Sequence, residues 1–143
     1  GEMAAIHVDV AADVVFEAIA WLPGHATWAT HDLEIEAVDD SLLAVGKTYT
    51  SSHLGKAPDQ VTITELVPGE RFSFDVVIAN GLKVSHTITV SEESGGALVT
   101  RESRCAEAPG LKVLLRPLLA LALPMGAKKN LKSMKSALEK LAP

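Results

Sequence analysis

Three side chains in this sequence carry groups able to bind, or exchange protons with, an oxygen-bearing organic molecule: the Tyr49 phenol, the His86 imidazole and the Arg101 guanidinium. Each lies in a stretch where apolar and polar residues alternate, which is the period of a half-buried strand. In an apolar enclosure His86 could move a proton with help from Tyr49 while Arg101 holds a carbonyl or enolate oxygen. The same three groups could instead grip the oxygen-rich end of a bulky apolar ligand and leave it unchanged. Each also has a plainer reading: a hydrogen-bonded core histidine, a wall tyrosine, and an arginine at a wet rim paired with Glu65 or Glu102.

Other chemistries lack their residues. His25, His31 and His53 do not fall at metal-ligand spacing, and the single cysteine, Cys105, is too few for a thiolate zinc site, so no metal is expected. Cys105 has no internal disulfide partner, which fits a reducing compartment and makes the cytoplasm the default location. Without a GxGxxG motif, a complete phosphate-binding loop or a Gly-x-Ser-x-Gly elbow, no nucleotide or other cofactor is expected. Lys and Arg number 13 against 18 Asp and Glu, and the resulting charge of -5 repels phosphate backbones, so nucleic acid is not an expected partner. The basic cluster Lys128, Lys129, Lys132 and Lys135 reads as a solvated helix face, with attraction to an acidic lipid surface as the alternative. The most apolar run, 111–125, contains Lys112, Arg116, Pro117 and Pro124 and falls short of the roughly 20 residues needed to cross a bilayer.

The elements that must position the three side chains follow from periodicity and turn signals. Ile6, Val8 and Val10 alternate with polar residues and predict a strand over about 4–10. Further strands are expected at about 33–38, 45–53, 59–67, 70–79, 81–91 and 96–106, with no crossover helix between them, so the sheet is antiparallel. Asp13 caps or charges a helix over Val14 to Ala20, Pro23-Gly24 breaks it, and a short second helix is expected from His25 to Thr30. Trp21 and Trp28 read as packing residues. After Pro109-Gly110 the period is helical again, with Pro117 at a start and Pro124 as a kink. Leu131, Met134, Leu138 and Leu141 then share one face of a terminal helix whose only available partner is the sheet.

Turn chemistry predicts which residues oppose one another. Pairing His53 with Asp59, Leu66 with Arg71, Ile78 with Leu82 and Val90 with Ala97 generates one transverse row: Tyr49, Ile63, Phe74, His86, Arg101. The same face carries Val61, Phe72, Val76, Val84, Ile88, Val90 and Val99. The other shows Thr62, Thr64, Ser73, Asp75, Lys83, Ser85 and Thr87. The candidate catalytic residues are therefore His86 and Tyr49. The candidate ligand-binding residues are Arg101 with the apolar walls Val61, Ile63, Phe72, Phe74, Val76, Val84, Ile88 and Val99. Leu114, Leu118, Leu121 and Met125 form either a mobile lip over an entrance or a buried helix start.

The order strand, two short helices, six strands, long helix resembles the START-like superfamily, also called SRPBCC, which includes the birch-pollen allergen, lipid-transfer domains and polyketide cyclases. The matching stretches are Ile6 to Phe16 (IHVDVAADVVF), Trp28, Val45-Gly46-Lys47, Val61 to Phe74 (VTITELVPGERFSF), Gly95 to Thr100 (GGALVT) and the terminal LKSMKSALEKL. The resemblance implies a soluble α+β helix-grip fold, with a curved seven-stranded antiparallel sheet wrapped on the C-terminal helix. It makes residues 1–143 one domain, with Gly1-Glu2 read as an artificial remnant of no structural weight. Its motifs mark a fold and no single reaction. The function expected first is binding of a hydrophobic small molecule (lipid, isoprenoid or polyketide-like) in an internal cavity, as carrier or sensor. The alternatives are a cofactor-independent polyketide cyclase or aromatase using His86, Tyr49 and Arg101, and a regulatory module that binds a protein partner. The oligomeric state stays open between monomer and dimer.

Overall fold

The computed structural model describes the backbone of residues 2–29, 32–53, 57–78, 81–107 and 116–141, and side chains in these ranges except those of 2, 107 and 116–126. In chain order the elements are β1 (Glu2–Val8), α1 (Ala12–Ala20), a 3-10 turn (Leu22–Thr27), β2 (Glu34–Ala37), β3 (Thr48–Ser52), β4 (Asp59–Val67), β5 (Arg71–Val77), β6 (Lys83–Glu93), β7 (Gly96–Glu107) and α2 (Arg116–Leu141). The strands form one seven-stranded antiparallel sheet in the order β1-β7-β6-β5-β4-β3-β2. With α2 laid against β1 and β7, this is the expected α+β helix-grip fold.

Alternation decides which side of the sheet is buried, because successive side chains in a strand point to opposite faces. Val61, Ile63, Phe72, Phe74, Ile88, Val90 and Val99 are all 5% exposed or less, so the expected apolar face is the inner one. On the outer face Ser73 is buried too, but its hydroxyl donates to Glu65 and sits 3.0 Å from the Thr87 hydroxyl. From α2, Ala127, Leu131, Met134 and Leu138 join the core, whereas Leu141, expected on the same face, is 82% exposed at the helix's last turn. Pro124 lies within continuous helix and does not interrupt it. Among the described residues no helix is long and apolar enough to cross a membrane.

Pairing departs from expectation by two residues at two hairpins. Val90 lies opposite Val99 and not Ala97, and Tyr49 lies opposite Val61 and not Ile63. At the first, Ser94-Gly95 forms a two-residue turn with φ of 47° and 81°, so β6 and β7 run on through residues expected in a loop. A slip of two keeps every side chain on its expected face, because the strand repeat is two. Between β4 and β5 the turn pairs Val67, not Leu66, with Arg71. A bulge between Ile63 and Glu65 then absorbs the extra residue, so Ile63 still meets Phe74. Gly95→Ala, which puts a Cβ into the left-handed region, is expected to cost about 1 kcal/mol in urea denaturation.

The early helices also differ in detail. Ala11 occupies the N-cap of α1 without a side-chain bond, and Asp13 sits in the first turn, where its carboxylate favours the helix N-terminus. α1 ends at Ala20 as expected, and Pro23 lies at the start of the 3-10 turn, where a missing N–H costs nothing. Trp28 is buried at 5% exposure as expected, while Trp21, expected in the core, is 64% exposed. Glu2, expected to carry no structural weight, pairs with Ser103 at the start of β1.

Candidate functional site

Arg101 projects from β7 between Ala4 of β1 and Ile88 of β6, on the inner face beneath α2. Its Nη1 donates to the Asn130 Oδ1 of α2 at 3.2 Å, its Nη2 reaches His86 Nδ1 at 3.3 Å, and its guanidinium carbon lies 5.9 Å from the Phe74 ring centre. Both hydrogen-bond partners are neutral. Among the described residues no carboxylate pairs with it: Glu65 faces Arg71 and Ser73, and Glu102, the next residue along β7, belongs to the opposite face. Burial lowers the Arg101 pKa to about 10, so it remains a cation at neutral pH.

His86 lies between Phe74 of β5 and Ser103 of β7, with its ring 5.1 Å from that of Phe74. Its Nδ1 is 2.7 Å from Ser103 Oγ and 3.3 Å from Arg101 Nη2. A guanidinium only donates, so Nδ1 must be the bare acceptor and the ring proton must sit on Nε2. Burial, then the charge of Arg101, then His25 hold the His86 pKa well below its ordinary value. Neutral His86 thus offers an N–H donor. Nitrogen-15 imidazole spectra at about pH 7 should show Nδ1 unprotonated and Nε2 protonated. A protonated Nδ1 would refute the assignment.

A second histidine completes the cluster. His25, in the 3-10 turn, donates its Nε2–H to the Ile19 carbonyl at 2.7 Å, lies 4.8 Å from the Trp28 ring and meets Phe74 edge-on at 6.1 Å. Burial depresses its pKa to about 4; Arg101 adds to that, and the Ile19 bond opposes it. Of the residues expected from sequence, Phe74, His86 and Arg101 come together, with Ile63, Phe72 and Ile88 as buried walls and Val76 and Val84 half-buried. Ser103, Asn130 and His25 were not anticipated. Ser103 shares the parity of Arg101 and was within reach of a correct register, whereas Asn130 and His25 reach the cluster only through tertiary packing.

Tyr49 does not share the His86 row. It stands three strands away, opposite Val61, which at ordinary strand spacing is roughly 14 Å. It lines an opening beside α1, and burial raises its phenol pKa. Of the other candidates, Leu114 and the side chains of Leu118, Leu121 and Met125 lie outside the described residues. Among the described residues no group of three His, Cys, Asp or Glu side chains converges on a point that could hold a metal.

A family model described as polyketide cyclase / dehydrase and lipid transport matches residues 3–142. The chain belongs to that family. It therefore lies in the SRPBCC superfamily, as the sequence resemblance implied. Solved structures similar to this family member include the Mesorhizobium loti protein MLL2253, 13% identical, with a TM-score of 0.75 over 99% of this chain and 100% of that one. The allergen Ara h 8.0201 is 13% identical, with a TM-score of 0.70 and 96% of each chain covered. DynU16, from the dynemicin biosynthetic locus, is 17% identical with a TM-score of 0.70, and the match spans 99% of this chain and 48% of that one. At such identities the likeness concerns the fold alone. A comparison with curated proteins finds no match.

Proposed function

We propose that the protein binds an apolar small molecule bearing a carboxylate or carbonyl oxygen, as carrier or sensor, with Arg101 and His86 as the donors to that oxygen. One observation carries this reading: a half-buried guanidinium over the Phe74 ring whose hydrogen-bond partners among the described residues are all neutral. A charge removed from water without a counter-charge is costly, and a ligand oxygen would offset that cost. The apolar walls Ile63, Phe72, Phe74 and Ile88 suit the rest of such a ligand, whether lipid, isoprenoid or polyketide-like. With Cys105 as its single cysteine the sequence holds no internal disulfide, which supports a cytoplasmic setting.

The state of His86 favours binding over proton transfer. A general base needs a free lone pair and a pKa near the working pH. Here Nδ1 faces two donors, and the pKa is pushed well down. Native mass spectrometry of protein purified from its own host tests the proposal. A retained organic acid or ketone, absent from Arg101→Met, is expected. Retention of nothing, together with no heat of binding for decanoate, would sink it.

A further inference from the structure

At the other end of the sheet, α1, the 3-10 turn and the β2–β3 connection enclose an open pocket of about 340 Å³, whose walls include Phe16, Ala20, Trp21, Leu43, Lys47 and Tyr49. That volume is at the low end of the roughly 300–1,000 Å³ typical of ligand sites, enough for one or two rings. Phe16 and Tyr49 are 6% and 3% exposed and form its inner wall, whereas Trp21 and Leu43 are 64% and 45% exposed at its mouth. Large apolar side chains facing water around a concavity mark a surface awaiting an apolar partner.

The Trp21 ring is held in place by a local device. It lies so close over Gly24 that a Cβ at that glycine would sit 2.5 Å from the ring. An indole fixed in this way gives up little conformational freedom when a ligand stacks on it. Opposite it, the Lys47 ammonium donates to the Ser41 carbonyl and lies 5.7 Å from the Tyr49 ring centre, which pins the loop carrying Leu43. The Tyr49 hydroxyl has no hydrogen-bond partner among the described residues, nor is it an enclosed, unsatisfied atom. Glu17 at the same pocket disfavours an anion, and the Lys47 charge beside Tyr49 disfavours a cation.

The geometry points to a second ligand site, separate from the Arg101 cluster, that takes an uncharged planar aromatic molecule carrying one hydroxyl or carbonyl. The ring stacks on Trp21, and its oxygen pairs with the Tyr49 hydroxyl. The probe is 1-naphthol, titrated into nitrogen-15-labelled protein while the Trp21 indole N–H and the Leu43 amide are followed. Saturable shifts at both are expected, with binding about tenfold weaker in Trp21→Ala and in Leu43→Ala. Because both side chains are exposed, the variants should keep the core resonances of the parent. Arg101→Met should bind 1-naphthol like the parent, which separates this site from the proposed inner one. Absence of saturable shifts, parent-like binding by Trp21→Ala, or loss of binding in Arg101→Met would each overturn the proposal.

Discussion

Arg101→Met is expected to move ligand affinity and stability in opposite directions. Decanoate, used as a probe acid, should bind about 10- to 100-fold more weakly, because a charge-assisted hydrogen bond contributes about 1.5–3 kcal/mol. Thermal stability should match or exceed that of the parent. The methionine spares the desolvation of a cation whose partners among the described residues, Asn130 and His86, are neutral. It also keeps an apolar stem over Phe74, where the guanidinium now sits. A structural arginine would behave in the reverse manner, with a lowered melting temperature and unchanged decanoate binding. Isothermal calorimetry and a thermal melt on the same samples distinguish the two. Arg101→Lys serves as the control, since a point charge without the planar fork should recover only part of the affinity.

Acid should unfold this protein through its buried histidines. His25 has a folded pKa of about 4 against an ordinary 6.5. Its contribution is therefore fully present above the ordinary value and is lost as pH falls through the interval between the two. Over that whole interval the loss is about 3 kcal/mol, with about 2 kcal/mol of it gone by about pH 5. His86, shifted in the same direction by burial and by Arg101, adds to it. His7 runs the other way: Glu93 and Asp9 raise its pKa, so its contribution is present below its ordinary value and fades as pH rises through the folded one. It is exposed, so its effect is small. Urea unfolding at about pH 7 and about pH 5 should show the parent losing much more stability than His25→Gln. Parallel losses in the two proteins would show that His25 is not held neutral in the fold.

An anion bound at Arg101, as proposed, would also act on this cluster. Arg101 helps depress both histidines, and a bound carboxylate would neutralise much of its field. Under that proposal, acid sensitivity and ligand binding would be coupled through one side chain.

Much of this was legible in the sequence. Strand alternation is a short-range property, and the inner face of Val61, Ile63, Phe72, Phe74, Ile88, Val90 and Val99 followed from it directly, as did the buried stripe Leu131, Met134 and Leu138. The faces survived where pairing was misjudged, because two hairpins were off by two residues and the one-residue error at the β4–β5 turn is absorbed by the bulge between Ile63 and Glu65. Alternation specifies the parity of a strand, but the offset between strands depends on turn conformation. Nothing in the pattern distinguished a six-residue loop at 91–96 from the tight Ser94-Gly95 turn that formed.

Tertiary structure decided what the polar residues touch. His25 came from the 3-10 turn and Asn130 from α2 to meet side chains of β5, β6 and β7, contacts between positions far apart in sequence that no local signal encodes. It shifted Tyr49 by two residues out of the row of His86 and left Trp21 in water over a glycine, although both had looked like parts of one interior. The physical reason is one of range. Periodicity records the burial of a residue against whatever lies on its side of an element, whereas a binding site depends on which elements the chain brings to that side.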